Sequence, residues 1–286
     1  MAVRIVSDST NYIPSEDLTR LGISRVPLWV HDGDEMRPET EIDLAAFYRR
    51  LADTRTIPTS SQPSPEEFVR AFAEATADGS EALGVFISTK MSGTAQAAEL
   101  AANMVREQHP GATIEVLDTE SNCMQEGFAV LSAAEVAAQG GTIEECVHAA
   151  RETMRRTRFL FTPHTLEYLS RGGRISGASA LLGSLLQITP ILTVDGGTTE
   201  VAGKVRTRTK ALGEIASRMR SDIERCGLKR CVVHAIVDID EAERFGREFI
   251  DPVAGQRVPV LPIGPVIGLH VGPAVGVVYE TVEPLR

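Results

Sequence analysis

The chain has 286 residues and a formal net charge of −10. Hydrophobic residues make up 43% and charged residues 24% of it, the balance of an ordinary soluble globular protein with ample material for a core. The acidic excess argues against a nucleic-acid-binding protein, and no apolar run reaches the roughly 20 residues of a membrane span. Since no signal-peptide pattern follows Met1, we expect a cytoplasmic protein. A length of 286 residues predicts two domains.

Cysteine and histidine spacing gives no sign of a metal centre. The four cysteines contain no CxxC pair, and the six histidines contain no HxxxH or HxH pair. The sequence also lacks the GxxxxGK[ST] and GxGxxG motifs of nucleotide sites and the GxSxG elbow of hydrolases. We therefore expect no metal, no cofactor and no nucleotide site.

The first half of the chain alternates between strand and helix patterns. Predicted strands cover 3–6, 24–30, 82–87 and 114–117, and predicted helices begin near Ser15, Asp43, Ser64, Ala95, Gln125 and Ile143. This alternation predicts a mainly parallel sheet with crossover helices.

The second half is richer in strand patterns. These fall at 190–194, 201–207, 230–237, 257–261 and 275–280, and two helical patterns cover 210–225 and 240–249. The predicted class is therefore α/β, with an N-terminal β/α domain at 1–157 and a C-terminal α/β domain at 158–286.

The most informative local feature is the segment Ser92, Gly93 and Thr94. It follows the buried strand pattern 82–87 and precedes a helix rich in small residues. A helix that begins at Gly93 beside two hydroxyl groups points free backbone N–H groups toward whatever lies above the sheet, which favours an anion such as a carboxylate. The alternative is that Ser92 and Thr94 only cap the helix.

Other polar segments follow predicted strands or precede predicted helices. Residues 8–10 and 118–119 stand at strand ends, and residues 59–62 form a predicted polar loop before the helix at Ser64. Ligand sites in open α/β sheets collect at the carboxyl ends of strands, so hydroxyl groups from several loops are expected to converge there. Taken singly, each is more often a cap or a turn residue.

Two further segments are candidates for a binding site. Residues 263–273 are so rich in glycine and proline that we predict a tight loop that presents His270 as a hydrogen-bond donor, rather than a core histidine. Residues 178–188 mix small residues with leucines, a composition that suits a wall along an alkyl chain or an ordinary packed helix.

Five motifs follow one another along the chain: Ile5-Val6-Ser7-Asp8-Ser9, Ser60-Ser61-Gln62-Pro63-Ser64, Met91-Ser92-Gly93-Thr94, Arg171-Gly172-Gly173-Arg174 and Gly268-Leu269-His270-Val271-Gly272-Pro273. In this order they resemble the DegV family of bacterial fatty-acid-binding proteins, which includes the FakB subunits of fatty acid kinase. The resemblance covers almost the whole chain. Departures are Ser60 for a usual threonine, Cys123 and Gln125 for a usual serine and glycine, and Thr189 for a usual lysine.

The resemblance implies a non-enzymatic carrier of two α/β domains that encloses one long-chain fatty acid between them in an apolar tunnel. Its carboxylate is then held by Ser60, Ser61, Ser92, Gly93, Thr94 and His270. A separate ATP-dependent fatty acid kinase subunit converts the presented carboxylate to an acyl phosphate. From the residues alone, an acyl-ester hydrolase with Ser92 as nucleophile and His270 as base, or a stand-alone lipid sensor, remains an alternative.

Positive charge in this acidic chain concentrates in two places. Arg171 and Arg174 flank a pair of glycines that predicts an exposed turn, and four cations alternate along 204–210, where a strand would place them on one face. A solvated charged face is the plain alternative. Given the implied kinase, we predict that Arg171, Arg174 and Arg206 form a docking surface for that partner.

Overall fold

The computed structural model describes residues 1–53, 58–181 and 188–285. The chain folds as two compact units, the first made of 1–42 and 59–154 and the second of 43–58 and 155–286. The sequence places 43–58 in the N-terminal domain, whereas the structure packs this segment in the second unit. A buried hydrogen bond from the Tyr48 hydroxyl to the Ile263 carbonyl, 2.8 Å long, ties it there.

Seven strands carry the first unit. In chain order they are β1 (Val3–Asp8), β2 (Ser24–Val26), β3 (Trp29–Asp32), β4 (Glu35–Pro38), β5 (Thr59–Ser61), β6 (Glu81–Phe86) and β7 (Ile114–Asp118). Four form an all-parallel sheet in the order β2-β1-β6-β7, as the alternating sequence pattern predicts. The other three form a small antiparallel sheet in the order β4-β3-β5.

The predicted second strand, 24–30, is wrong in one respect, because it is divided into β2 and β3. Pro27 stands at the break, where it has no N–H to give to a strand ladder. The next amide, that of Leu28, donates instead to the Ser9 hydroxyl at 2.9 Å. The break lets β3 leave the parallel sheet and pair with β5.

The first six helices begin where local signals place them. They are α1 (Ser15–Leu21), α2 (Leu44–Asp53) of the second unit, α3 (Pro65–Thr76), α4 (Thr94–Gln108), α5 (Cys123–Ala138) and α6 (Ile143–Arg156). Helix α3 begins with a complete capping box between Ser64 and Glu67. Its buried Phe68 and Phe72 pack on Phe86 of β6, and this aromatic group is the centre of the first unit's core.

The second unit is built on one six-stranded sheet. Its strands are β8 (Thr157–Pro163), β9 (Thr189–Asp195), β10 (Thr198–Val205), β11 (Leu228–Ile236), β12 (Val260–Pro262) and β13 (Ala274–Thr281). They lie in the order β10-β9-β8-β13-β11-β12, and every pair is antiparallel except β11 with β12. All eight residues of β13 are buried because strands cover both of its edges and helices pack on the sheet.

Five further helices lie in the described residues of the second unit: α7 (Glu167–Arg171), α8 (Arg208–Cys226), α9 (Ile239–Phe245), α10 (Asp251–Ala254) and α11 (Pro265–Val271). The long helix α8 buries Leu212, Ile215 and Met219 at helical spacing against the sheet. A five-residue π-helical turn, Gly246–Ile250, joins α9 to α10. No helix in the described part of the chain is both long and apolar enough to cross a membrane.

Candidate functional site

Residues 87–93 connect the end of β6 to the start of α4 and form a tight turn. The amides of Met91 and Ser92 both donate to the Ser88 carbonyl at 3.0 Å. Gly93 is the N-terminal cap of α4 and supplies no side-chain cap. The 15-residue helix therefore directs the positive end of its dipole toward the segment that the sequence analysis selected.

The hydroxyl groups of Ser92 and Thr94 lie together at this helix start. Their oxygens are 2.8 Å apart, and the Thr94 amide donates to Ser92 Oγ at 3.4 Å. Thr94 is fully buried, whereas Ser92 is half-buried. Ser92 can thus donate to a ligand at the surface of the unit while Thr94 orients it. The plain capping role and an anion-binding role are both compatible with this geometry.

Ser60 and Ser61 lie on β5 and not in the predicted loop. Strand β5 pairs with β3, so that Ser60 stands opposite Val30 and Ser61 opposite Trp29. The prediction missed this strand because three residues are too few to show alternation. Pairing with β3 is a contact between distant segments that no local pattern encodes.

Two contacts connect the Ser60–Ser61 strand with its surroundings. His31 Nε2 lies 2.8 Å from Ser61 Oγ. The side-chain carboxamide of Gln62, the next residue, lies so close to Gly93 that a side chain at position 93 would overlap its Oε1. Gly93 is therefore needed for close approach as well as for the start of α4. No local sequence pattern marks His31, since only the pairing of β3 with β5 brings it to Ser61.

A buried polar network lies at the carboxyl end of β1. Asp8 and Thr10 are fully buried there, and Glu126 reaches them from α5. Asp8 also accepts a hydrogen bond from the Ile87 amide at 2.9 Å. Asp8 therefore fixes the start of the turn that carries Ser92.

His270 lies on helix α11, so the prediction that it stands in a glycine loop is wrong. Pro265 occupies the first turn of this helix, where its missing N–H is tolerated, and Gly272 ends it with a positive φ of 70°. Gly268 allows Tyr48 of α2 to approach, because a side chain there would overlap the tyrosine ring. The glycines thus serve close packing of helices rather than an open loop.

The imidazole of His270 lies against Gly172, next to Arg174. A side chain at Gly172 would overlap Nδ1 of the ring. Burial, together with the charge of Arg174, lowers the pKa of His270 to about 4. His270 is therefore neutral at physiological pH and can offer one N–H as a donor. The structure joins two of the sequence motifs, the Arg-Gly-Gly-Arg turn and the glycine segment, within the second unit.

The predicted basic strand over 204–210 is also wrong. Strand β10 ends at Val205, and Thr207 caps α8 by accepting a hydrogen bond from the Lys210 amide at 3.3 Å. Arg208 turns inward and binds Glu241 at 2.8 Å. The N-terminal cap at Thr207 starts a helix where the alternating pattern predicted a strand. The four cations therefore do not share one strand face.

The three arginines of the predicted docking surface are all exposed. Arg171 is paired with Glu167 at 2.5 Å on α7, Arg174 donates to the Gly172 carbonyl at 2.5 Å, and Arg206 follows β10. The glycine turn between Arg171 and Arg174 is present, with Gly173 at a φ of 69°. Within the described residues, no group of three His, Cys, Asp or Glu side chains is arranged to hold a metal ion.

The apolar segment that the sequence analysis assigns to an alkyl wall is described in part. Residues Ser176–Leu181 form a short 3₁₀ helix in which Ala178 and Leu181 are buried. Residues 182–187 lie outside the described residues.

Comparison with known proteins places the chain in one family along its whole length. A model of the DegV family of uncharacterised proteins matches residues 2–282. A DegV domain-containing protein of Clostridium acetobutylicum is 43% identical over 292 residues, which cover 100% of both chains.

Solved structures of similar fold agree with this placement. A DegV family protein from Thermus thermophilus, described by its fatty acid binding, shares 34% identity with a TM-score of 0.88, and the match covers 98% of this chain and 100% of that one. DegV of Bacillus subtilis, described as a fatty acid binding protein, shares 32% identity with a TM-score of 0.87 over 98% and 99% of the two chains. This chain therefore belongs to the DegV family.

Proposed function

We propose that this protein binds a long-chain fatty acid and presents its carboxylate to a separate ATP-dependent fatty acid kinase subunit. The observation that carries the proposal is the pair of hydroxyl groups, Ser92 and Thr94, at the start of α4 in a chain related to fatty-acid-binding proteins. An acyl carboxylate is the small anion that such a helix start accommodates.

The carboxylate is held by hydrogen bonds rather than by a cation. Ser92 donates to it, with Gly93 and Thr94 at the helix start and Ser60 and Ser61 on β5 as further donors. A carboxylate taken out of water needs several such donors, because an unpartnered charge is strongly disfavoured. His270 is proposed as one more donor, from its neutral imidazole.

The alkyl chain supplies most of the binding free energy. Burying about 16 methylene groups at roughly 0.8 kcal/mol each contributes on the order of 13 kcal/mol before ordering costs. An enclosed apolar tunnel with one polar end matches these energetics, and residues 178–188 are its proposed wall.

The proposal is tested first by asking what the purified protein carries. Native mass spectrometry of protein from the expression host should show one added acyl chain, which organic extraction removes and palmitate or oleate restores. Ligand-free protein that takes up neither fatty acid would contradict the proposal. Hydrolysis of a short-chain chromogenic ester, lost in Ser92→Ala, would instead support the hydrolase alternative.

The head-group site is tested with Ser92→Ala. The variant should bind oleate about tenfold more weakly, since loss of one hydrogen bond to a buried charge is worth about 1.5 kcal/mol. Ser24→Ala is the matched control, because Ser24 is exposed on β2 and should leave oleate affinity unchanged. Equal affinity of Ser92→Ala and wild type would place the carboxylate elsewhere.

His270 is tested through pH. A carboxylate beside it would favour the protonated imidazole and raise its pKa from about 4, so oleate binding would take up protons and strengthen as the pH is lowered. His270→Asn should remove this part of the pH dependence. An identical pH profile in both proteins would exclude His270 from the head-group site.

The partner is tested with Arg174→Ala and Arg206→Ala. Both residues are exposed, and we expect the variants to keep oleate affinity but to slow acyl-phosphate formation by the cognate kinase in a salt-dependent manner. Arg220→Ala, an exposed arginine on α8, is the control. Equal turnover by all variants would show that the kinase docks at a different surface. No turnover with any kinase would favour a stand-alone lipid sensor.

A further inference from the structure

Three fully buried side chains form a polar chain beneath the turn that carries Ser92. They are Asp8 at the end of β1, Thr10 just after it and Glu126 on α5. Thr10 Oγ1 lies 2.6 Å from Asp8 Oδ1 and 3.1 Å from Glu126 Oε2. The proposed function does not use these carboxyl groups directly.

The hydrogen bonds around Asp8 require that this carboxylate accepts on both oxygens. Oδ1 accepts from the Thr10 amide at 2.7 Å and from the Thr10 hydroxyl, and Oδ2 accepts from the Ile87 amide at 2.9 Å. Burial raises the pKa of Asp8, but the three donors that converge on its carboxyl group act in the opposite direction, so Asp8 ionises more readily than Glu126, whose pKa is raised well above its ordinary value. Asp8 is therefore the member of the pair that carries the negative charge.

Thr10 has a single hydroxyl proton, and its short contact with Asp8 uses it. The remaining contact, between Thr10 Oγ1 and Glu126 Oε2, then needs a proton from Glu126. A Glu126 carboxylate would face the lone pairs of Thr10 with no donor between them. The carboxyl groups of Glu126 and Asp8 also lie within hydrogen-bonding reach of each other, and two carboxyl groups form a hydrogen bond only when one carries a proton. Hydrogen-bond counting thus places one proton on Glu126.

The surroundings of Glu126 also disfavour a second negative charge. Among the described residues, neither Asp8 nor Glu126 has a lysine or arginine partner, and Glu39 is a further buried acidic group nearby. Cys123, on the same helix as Glu126, adds only a thiol, whose pKa is raised by burial and by the neighbouring Glu126 and Glu39. Burial and the charge of Asp8 raise the pKa of Glu126 well above its ordinary value.

We propose that Glu126 is a neutral carboxylic acid that donates to the pair formed by Thr10 and ionised Asp8, in which Thr10 donates to Asp8, and that this relay positions the Ser92 turn through the Ile87 amide. The positioning part rests on the proposed function. The relay leaves one negative charge, instead of two, at the sheet end that offers donors to an anion. Asp8, Thr10 and Glu126 are positioning residues, since none is assigned a contact with the ligand.

The protonation state of Glu126 is tested with Glu126→Gln, because the glutamine side chain can still donate a hydrogen bond but cannot ionise. A carboxyl group whose pKa is raised on folding binds more protons in the folded state than in the unfolded state. Its contribution to stability therefore falls as the pH rises above the pKa of the unfolded state, near 4.3. The urea midpoint of wild type should therefore decrease between about pH 5 and pH 8 by more than that of Glu126→Gln. At the higher pH, Glu126→Gln should equal or exceed wild type.

Glu280→Gln is the matched control. Glu280 is also fully buried but lies 3.0 Å from Lys229 and 2.5 Å from Arg230, so removing its charge should lower the urea midpoint at both pH values. A second readout is infrared spectroscopy, in which wild type at neutral pH should show the C=O band of a protonated carboxyl group that Glu126→Gln lacks. Absence of this band, or destabilisation of Glu126→Gln like that of Glu280→Gln, would overturn the protonation.

The positioning role is tested with Asp8→Asn, whose amide cannot accept on both of its terminal atoms. Folded Asp8→Asn should bind oleate about tenfold more weakly than wild type, and oleate affinity equal to wild type would overturn the positioning role. If Asp8→Asn does not fold, Thr10→Val, which removes the relay hydroxyl, takes its place. If wild type itself does not bind oleate, the proposed function fails, while the infrared and urea experiments still decide the protonation.

Discussion

Both units bury carboxyl groups, but they stabilise them in different ways. In the first unit, hydroxyl and amide donors surround Asp8, Glu126 is the proposed neutral acid beside it, and neither has a lysine or arginine partner among the described residues. In the second unit, Asp222 is bound by Arg158 at 2.5 Å and Arg225 at 3.0 Å, and Glu280 by two cations. Hydrogen bonds compensate desolvation in one unit and opposite charges do so in the other.

This difference bears on which unit can accept an anionic head group. Donors already arranged as hydroxyl and amide groups can bind a carboxylate without first releasing an internal ion pair. The cations that bind the buried Asp222 and Glu280 are committed to these structural partners, as the opposed pair Arg230 and Glu280 on β11 and β13 shows. This contrast supports the proposal that most donors to the carboxylate come from the first unit.

The largest expected effect is that of Asp222→Ala. This change leaves Arg158 and the buried Tyr279 hydroxyl without their acceptor and should lower the free energy of unfolding by about 3 kcal/mol. Glu243→Ala, which breaks an exposed i,i+4 pair with Arg247, is the control and should change it by less than about 0.5 kcal/mol. If urea denaturation gave the two variants equal free energies of unfolding, the buried ion pairs of the second unit would not have the stabilising role assigned to them.

A smaller effect is expected for Tyr279→Phe. The Tyr279 hydroxyl donates to Asp222 at 2.6 Å, and its loss should lower the free energy of unfolding by about 1 kcal/mol. Because both residues belong to one network, the double variant with Asp222→Ala should lose less than the sum of the single changes. Strict additivity in denaturation experiments would show that the two residues act independently.

Glu241→Gln sharpens the comparison through pH, because the variant should be less stable than wild type at neutral pH and the difference should shrink in acid. Burial raises the pKa of Glu241, but hydrogen bonds from His164 and Arg208 outweigh this and lower the pKa to about 2. A carboxyl group whose pKa is lowered on folding stabilises the fold at pH values above its unfolded-state pKa near 4.3. This stabilisation is lost as the pH falls toward the folded-state pKa of about 2. Glu241→Gln should flatten the stability curve in this window.

His234 provides a separate window for the same measurement. Burial lowers its pKa to about 4, so protonation on acidification from about pH 6.5 to pH 4 destabilises the folded state. Unfolding free energies measured across both windows should therefore show two steps, of which Glu241→Gln removes only the more acidic. If Glu241→Gln instead removed the step above pH 4, the assignment of the two steps to Glu241 and His234 would be wrong.

Local signals in the sequence were sufficient for most helices and for the parallel sheet. The capping box at Ser64 and Glu67 and the start of α4 at Gly93 depend on groups within a few residues of one another, so sequence order already brings them together. The repeated strand and helix patterns likewise predict the all-parallel sheet of the first unit, because crossover helices leave little choice of topology.

The sequence by itself thus determined the α/β class, most helix starts and the hydroxyl groups at residues 92–94. Only the tertiary structure decided which polar groups meet: Ser61 with His31 across 30 residues, and Thr10 with Glu126 across 116. It also placed His270 on a helix and ended β10 before Arg206. A cap or a periodic pattern lies within one element, whereas these contacts depend on strand order and close packing, which no single element encodes.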